Sequence, residues 1–173
     1  MRKAIIVDID GTIANIDHRL HHILKTNKEP DYDKFYESLD IDLPKRDVIE
    51  LVECLRHKYW IILVTGRLEN YREQTKEWLK EQNVYFDKLY MRADGDFRSD
   101  DIIKLEIYNK HIKPKHDVLC VLEDRQRVVD MWRRIGLTCL QVAQWDERKF
   151  SVKEDVKKLY EDEDIIELEI GGK

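Results

Sequence analysis

The sequence predicts an α/β fold with a central parallel sheet, and three observations support this. Five short apolar runs have the length of buried strands, and segments with helical spacing lie between most of them. Strands that alternate with helices form parallel sheets with right-handed crossovers. Polar residues follow three of the runs, and open sheets of this kind bind ligands beyond the carboxyl ends of their strands. The predicted strands are Ala4–Ile9, Trp60–Val64, Leu89–Met91, Val118–Leu122 and Cys139–Val142.

The segments between these strands contain three predicted helices. In two of them apolar residues recur at three- and four-residue spacing, which is typical of a helix with one buried face. The third, RSDDIIKLEIYNKH, begins with Ser99 as a candidate N-cap and has acidic residues in its first turn. The two periodic segments are carried by Val48, Leu51, Val52 and Leu55, and by Val128, Val129, Trp132 and Ile135.

Residues 15–45 interrupt the alternation of strands and helices. This segment mixes aromatic, acidic and basic residues without a strand period, so we predict an insert that forms a small cap over the strand ends. We expect one domain over residues 1–146, including this insert. Residues 147–173 form a charged carboxyl-terminal extension, either packed on the domain as a helix and a short strand or loosely held.

Composition narrows the class of protein. The 173 residues are 42% hydrophobic and 39% charged, as in an ordinary globular chain. The net charge of −5 argues against indiscriminate coating of nucleic acid but leaves room for a local basic pocket. The sequence contains neither a membrane-spanning run nor a signal-peptide core, so we expect a cytoplasmic protein with no membrane contact. A basic run around one predicted helix is interpreted as a solvated face or a subunit contact, with nucleic-acid binding as the alternative, which leaves a homo-oligomer open. The run consists of Arg125, Arg127, Arg133 and Arg134.

The first strand leads into the motif DIDGT. Alternate residues of a strand share a face, so Asp8 and Asp10 are expected to point the same way at the ligand-binding edge. Gly11 allows a sharp turn, and Thr12 offers a hydroxyl to an anion. Two such carboxylates can divide the chemistry, one as nucleophile and the other as acid and base. The alternative, a capped turn with two solvated acids, is typical of an isolated DxD.

Later segments supply groups that complement these acids. VTGR offers Thr65 and Gly66 to a phosphate oxygen and Arg67 as a bidentate partner, although TGR alone also suits a surface turn. Lys104 lies four residues after Asp100, either as an ordinary surface pair or as a lysine that holds nucleophile and phosphate together.

The fourth predicted strand leads into VLEDR, which adds two further carboxylates, Glu123 and Asp124. If the strands are neighbours, four carboxylates converge, and they cannot all stay ionised unaided. A hard dication with oxygen ligands resolves this conflict, and Mg2+ fits it. An acidic pair at a strand end is otherwise an ordinary helix cap.

In this order, DIDGT, TGR, the helical lysine and ED resemble the four motifs of the haloacid dehalogenase-like (HAD) phosphatases, which have a Rossmann-like fold. The stretch RSDDIIKLEIYNKHIKPKHDVLCVLEDRQRVVDMWRRIGLTCLQVA is similar to the 3′-phosphatase domain of the T-even phage polynucleotide kinase-phosphatases. The matching motifs extend from Asp8 to about Ala143 and are densest from Arg98 onward.

This resemblance implies a role for each matching residue. Asp8 would attack phosphorus and form an aspartyl-phosphate, while Asp10 would protonate the leaving oxygen and then activate water. The implied ligands of Mg2+ are Asp8, the main-chain carbonyl of Asp10, and Asp124. Asp10 must carry a proton part of the time, and we expect the neighbouring negative charge to raise its pKa. The remaining implied residues are Thr65, Lys104, Arg19 and Arg67 at the phosphate or active site, and Asp100 orienting the lysine.

The chain departs from the phage pattern at two points. Glu123 stands where the phage enzymes have aspartate, which leaves open whether it contacts the metal directly or through water. The insert is also longer, and this region is expected to shape substrate choice.

The function expected from these features is Mg2+-dependent removal of a 3′-phosphate from a DNA or RNA end or from a nucleoside 3′-monophosphate. The sequence contains no GxxxxGK[ST] motif, so we expect a phosphatase that works alone or with a separate kinase or ligase. The first alternative is a phosphatase for 5′-nucleotides or sugar phosphates. The second is a non-catalytic metal- or phosphate-binding module.

Overall fold

A computed structural model describes residues 2–23 and 30–145, and each of the five predicted strands is present. The helix that begins at Asp100 continues into a π-helical turn, Tyr108–Ile112. The elements in chain order are β1 (Arg2–Val7), β2 (Ala14–Asn15), α1 (Asp17–Leu20), α2 (Tyr32–Glu37), β3 (Leu43–Pro44), α3 (Arg46–Arg56), β4 (Trp60–Leu68), α4 (Arg72–Glu81), β5 (Lys88–Arg92), α5 (Asp100–Ile107), β6 (His116–Arg125), α6 (Gln126–Arg134) and β7 (Cys139–Trp145).

The five long strands form one parallel sheet in the order β5-β4-β1-β6-β7. β1 is central and is paired with β4 on one side and with β6 on the other. Because all the strands run in the same direction, the residues that follow β1, β4 and β6 meet at one edge. The predicted α/β fold with a central parallel sheet is therefore confirmed.

Both faces of the sheet are buried, which explains why its strands are continuous apolar runs. Ile5 and Val7 of β1 lie in a cluster that contains Trp78 of α4. Ala4 and Ile6 face the opposite side and lie in a cluster that contains Trp132 of α6. Helices on both faces hold β1 in place, and the residues after Val7 are therefore presented at a rigid edge.

The segment predicted as an insert begins and ends at a small ribbon. Asn15 of β2 pairs with Leu43 of β3 in antiparallel fashion, which brings the two ends of the segment together. Between them, Phe35 and Leu39 are buried in the same cluster as β1. The division into a domain over 1–146 with an insert at 15–45 remains a prediction, and the extension over 147–173 lies outside the described residues.

The structure corrects the expected buried face of α3 and adds detail to the expected N-cap of α5. Leu51 was expected on the buried face of α3, but its side chain is 43% exposed, and Val48 and Val52 form the buried face instead. Ser99 does stand at the N-cap of α5, although its hydroxyl bonds to Asp101 rather than to a backbone amide. Within residues 2–23 and 30–145, no helix is both long and apolar enough to cross a membrane.

Candidate active site

The first acid of DIDGT lies in a buried ion cluster at the centre of the sheet edge. Asp8 directly follows β1, and its backbone amide extends the ladder to the carbonyl of Leu122 (3.0 Å). Lys104 Nζ donates to Asp8 Oδ1 (2.6 Å) and to Glu123 Oε2 (2.7 Å), and all three side chains are buried. The lysine predicted to hold the nucleophile is therefore in contact with Asp8.

These carboxyl groups are difficult to ionise. Burial raises the pKa of Asp8 to about 8, and the charges of Glu123 and Asp10 add to this effect while Lys104 opposes it. Burial also raises the pKa of Glu123 to about 7 and that of Asp124 to about 7. Burial lowers the pKa of Lys104, but the neighbouring carboxylates outweigh it and the net shift is upward. The lysine is charged, and it faces more acid than it can neutralise.

The buried carboxyl groups form the kind of cluster that binds a divalent cation. Asp8, Glu123 and Asp124 each offer one oxygen, and these three oxygens lie within 4.8 Å of one another. Carboxylate oxygens are the ligands that Mg2+ prefers, and it is commonly held by few carboxylates with water completing its shell. Two of the predicted ligands, Asp8 and Asp124, are thus brought together, and Glu123 is close enough to be a third. Ligation through the carbonyl of Asp10 remains a prediction.

The turn after Asp10 is shaped to admit one of these acids. Gly11 has φ +83°, and a Cβ at this position would lie 1.9 Å from Asp124 Oδ2. The Thr12 hydroxyl donates to Asp124 Oδ1 (3.4 Å). The DIDGT motif therefore provides the space and a donor for Asp124, which sequence spacing alone did not indicate.

The raised pKa values predict how Mg2+ affects stability at different pH. Acids with a folded-state pKa above the unfolded value stabilise the fold at low pH, and this contribution is lost as the pH rises toward 7 to 8. The ionised cluster is also the form that binds a dication. We therefore expect Mg2+ to raise Tm more at pH 8.5 than at pH 6, measured as the difference with and without Mg2+ at each pH. Asp124→Asn should reduce that difference, and an equal or smaller effect at pH 8.5 would contradict the expectation.

The second acid of DIDGT has different surroundings. Arg19 Nη2 donates to Asp10 Oδ1 (2.6 Å), and Arg67 donates to the same oxygen through Nη2 (2.7 Å) and Nε (3.0 Å). Both arginines are fully buried. Although burial opposes ionisation, the two guanidinium groups outweigh it and hold the pKa of Asp10 well below its usual range.

This corrects the expectation that the neighbouring negative charge raises the pKa of Asp10. The charge on Asp8 does lie nearby, but Arg19 and Arg67 make direct charged hydrogen bonds to Asp10, and these dominate. The two acids of one short motif thus have opposite shifts. Burial opposes ionisation of Asp8, which therefore needs positive charge beyond that of Lys104 to act as a carboxylate, whereas the two arginines keep Asp10 ionised.

A residue that the sequence did not identify holds the two arginines. Asp42 is fully buried and accepts from Arg19 Nε (2.7 Å) and Nη2 (2.8 Å) and from Arg67 Nη2 (2.6 Å). Its own carbonyl accepts from Trp78 Nε1 of α4 (2.8 Å). Its sequence context, DIDLP, gave no indication of this, because it lies in the insert and far along the chain from both arginines. Contact of Arg19 and Arg67 with a substrate phosphate remains a prediction.

The TGR motif lies within β4, which continues to Leu68 beyond the predicted end at Val64, and it contributes chiefly through its backbone. Thr65 is fully buried, and its hydroxyl accepts from the amide of Arg67 (3.2 Å), so its contact with phosphate also remains a prediction. A Cβ at Gly66 would lie 2.8 Å from Asp100 Oδ1. Gly66 therefore allows α5, which carries Lys104, to approach the sheet edge closely.

The acid predicted to orient the lysine makes its contacts elsewhere. The carboxylate of Asp100 accepts from Arg92 and from Arg125. It acts on Lys104 as one of the negative charges that favour the ammonium form. Arg92 also donates through Nε to the carbonyl of Gly66 (3.0 Å). Asp100, Arg92 and Arg125 therefore form a second group of charged residues, in addition to the cluster around Lys104.

A cavity of about 340 Å³ opens over the two acids of DIDGT. Its lining includes residues of the insert, of the loop before α5 and of the start of α6. Sequence reasoning assigned Arg125 to a surface run and did not select Arg92, because only the tertiary structure places them beside the acids. The insert contributes Ile16, Ile23, Tyr32, Phe35 and Tyr36, and the cationic residues of the lining are Arg92, Arg98, Arg125 and Arg127.

The fold and this site define a class of protein. A haloacid dehalogenase-like hydrolase from Streptococcus pneumoniae aligns with 81% of this chain and 84% of its own, at a TM-score of 0.56 and 15% identity, which shows a shared fold. The chain therefore has the fold of the HAD-like hydrolases. More narrowly, the model of the polynucleotide kinase PNKP phosphatase domain matches residues 2–146, and the chain belongs to that family.

Two relatives of higher sequence identity have names that refer to polynucleotide kinase and RNA ligase or to RNA repair. A protein of Autographa californica nuclear polyhedrosis virus, provisionally named a bifunctional polynucleotide kinase/RNA ligase, is 34% identical over 141 residues, which are 78% of this chain and 18% of that protein. A chain in the structure of a Pnkp1/Rnl/Hen1 RNA repair complex is 34% identical, at a TM-score of 0.73, over 83% of this chain and 43% of its own. The chain thus spans less than half of either relative.

Proposed function

We propose that the protein is a Mg2+-dependent phosphomonoesterase that acts through a phosphorylated Asp8 and removes 3′-phosphates from polynucleotide ends. The observation that carries this proposal is the contrast between two acids that line one cavity. Asp8 contacts Lys104 within an acidic cluster, whereas Asp10 is bound by two buried arginines. In the proposed mechanism, Asp8 bonds to phosphorus and Asp10 exchanges protons.

Asp8, Glu123 and Asp124 are the residues that would hold Mg2+. When bound there, Mg2+ supplies positive charge that offsets the charge developing on the phosphoryl oxygens. Lys104 adds a fixed positive charge in direct contact with Asp8 and Glu123. Because Lys104 is buried and already bonded, it needs little reorganisation when the reaction occurs.

The proposed reaction has two steps. An oxygen of Asp8 forms a bond to phosphorus while the bond from phosphorus to the sugar oxygen breaks, and Asp10 gives a proton to that oxygen. Water then attacks the phosphorus of the aspartyl-phosphate, Asp10 accepts the proton of the water, and the bond to Asp8 breaks. Phosphate leaves, and both carboxyl groups return to their starting forms.

Arg19 and Arg67 lower the pKa of Asp10 and keep it ionised, which is the form that accepts a proton from water in the second step, whereas the first step requires Asp10 to carry a proton. The negative charge of a bound phosphate dianion favours the protonated form. The same phosphate competes for the guanidinium groups of Arg19 and Arg67, which weakens the interactions that keep Asp10 ionised. Substrate binding and protonation of Asp10 are therefore coupled.

The proposed substrate class rests on the family and on the cavity. The matching family is that of polynucleotide kinase phosphatase domains. The cavity presents cationic side chains next to the acids, as a polyanionic strand requires. We further propose that the protein works in the cytoplasm beside a separate kinase or ligase, because its relatives carry those activities in their names. A homo-oligomer is compatible with this arrangement.

The specificity is tested with one oligonucleotide phosphorylated either at its 3′ end or at its 5′ end. We expect Mg2+-dependent phosphate release from the 3′ end with kcat/KM at least about 100-fold higher, since the cavity must admit the phosphate and one sugar in a single orientation. Glycerol phosphate and a nucleoside 5′-monophosphate serve as comparison substrates. Equal hydrolysis of both ends would reject end repair and favour the alternative of a small-molecule phosphatase.

A further inference from the structure

An apolar ring is held in solvent at the mouth of the cavity. Phe97 is 89% exposed, more than any other large hydrophobic side chain in the part of the chain that the structure describes. It lies in the loop between β5 and α5 and lines the cavity that contains Asp8 and Asp10. Single exposed apolar residues are common on protein surfaces, so its position needs further evidence.

The loop around this ring is fixed to the active site. Arg92 Nη1 donates to the carbonyl of Asp96 (2.8 Å) and to that of Arg98 (2.6 Å), so the backbone on both sides of Phe97 is bound by one guanidinium group. The same side chain donates through Nε to the carbonyl of Gly66 (3.0 Å). The backbone on both sides of Phe97 is therefore bonded to Arg92, and Arg92 is bonded to Gly66, which lines the same cavity as Asp8 and Asp10.

The charges beside the ring are already paired. Arg98 Nη2 donates to Asp96 Oδ2 (2.6 Å) and to Glu106 Oε2 (2.8 Å). This corner of the rim therefore offers a ligand the face of an aromatic ring more than a free cation. Apolar contact and stacking are the interactions that such a surface can form.

A second exposed ring, from the insert, also lines the cavity. Tyr32, at the start of α2 in the insert, is 52% exposed and lines the same cavity. The two rings come from segments far apart in sequence, and Asp8 and Asp10 belong to the same cavity lining. Exposed aromatic rings in a cavity that also contains the candidate phosphate site fit a planar base joined to a phosphorylated sugar.

We propose that Phe97 is the stacking platform for the base of the nucleotide that carries the reacting phosphate, with Tyr32 contacting the same nucleotide from the insert. This deepens the proposed function and rests on it. Base stacking on aromatic rings tolerates any sequence, because every base has a π-face. The ligand is therefore the unstacked terminal nucleotide of a nucleic-acid strand, whatever its base.

The test uses a 3′-phosphorylated oligonucleotide and the same strand with its terminal base removed. Phe97→Ala should raise KM at least about fivefold on the strand with the base and leave kcat nearly unchanged, because stacking contributes to binding. On the strand without the terminal base the same variant should behave as wild type. Phe97→Trp should retain the wild-type KM on both strands.

Tyr85→Ala is the matched control. Tyr85 is 60% exposed but is absent from the lining of the cavity, so this variant should leave both strands unaffected. Equal losses on the two strands with Phe97→Ala, or no loss on either, would overturn the proposal. The same comparison can be made without turnover by measuring the binding of both strands to Asp8→Asn proteins with and without Phe97→Ala. If 5′ ends are hydrolysed as readily as 3′ ends, the proposed function fails while the base dependence still decides the role of Phe97.

Discussion

Asp8→Asn is expected to reduce Mg2+-dependent phosphate release by about 10⁴-fold or more, because an amide cannot replace a carboxylate that must bond to phosphorus. The same change should leave the free energy of unfolding at pH 7.5 unchanged or slightly higher. Burial raises the pKa of Asp8 to about 8, so keeping this group ionised opposes folding, and a neutral amide removes that cost. Release of phosphate from a generic aryl phosphate, with thermal melting beside it, measures both effects.

Asp117→Asn is a suitable control for this substitution. Asp117 lies on β6, is exposed, and stands at the amino end of the strand, whereas Glu123 and Asp124 stand near its carboxyl end. The control should retain wild-type turnover and stability. A folded Asp8→Asn protein that keeps more than about one hundredth of the wild-type rate would show that Asp8 is not the nucleophile.

Asp10→Asn is expected to lower turnover by about 10² to 10⁴-fold, which is the usual range for loss of a general acid and base. The loss should be greater for a sugar phosphate than for nitrophenyl phosphate, because nitrophenolate leaves without a proton. Hydrolysis of the phosphorylated Asp8 should also slow. We therefore expect a burst of nitrophenolate followed by slow turnover, with phosphate trapped on the protein.

Unlike Asp8→Asn, this variant should be less stable than wild type. The ionised Asp10 accepts hydrogen bonds from two buried arginines, and their loss costs about 1.5 to 3 kcal/mol in the free energy of unfolding at pH 7. An acid with a lowered folded-state pKa stabilises the fold above its unfolded pKa of 3.8, and this contribution disappears as the pH falls further. Equal stability of Asp10→Asn and wild type at pH 7 would contradict this account.

The opposite pKa shifts of Asp8 and Asp10 could not be predicted from the sequence. DIDGT places Asp8 and Asp10 two residues apart, and the strand period predicts that they share a face. Their pKa shifts depend on Lys104, Arg19 and Arg67, which arrive from other elements. The sequence-based expectation for Asp10 was wrong because it counted only its neighbour along the chain.

The insert provides a second example. Its length and mixed composition indicate a break in the alternating pattern, and the ribbon of β2 and β3 agrees with that break. Neither property indicates that Asp42 bridges two buried arginines or that Tyr32 lines the cavity. Contacts between segments that differ in length from one protein to another follow no short-range spacing rule.

By itself, the sequence determined the parallel sheet, the strands that carry the acids, and the lysine that meets Asp8. The sheet and its strands follow from local periodicity and from the rule that parallel strands end at one edge. The lysine was selected through the resemblance to the HAD motifs, because its spacing from Asp100 also suited a surface pair. Only the tertiary structure decided the charge states of the two acids, the part of Asp42 in holding Arg19 and Arg67, and the exposed position of Phe97. Charge and exposure depend on everything that surrounds a side chain, and most of those surroundings come from distant parts of the chain.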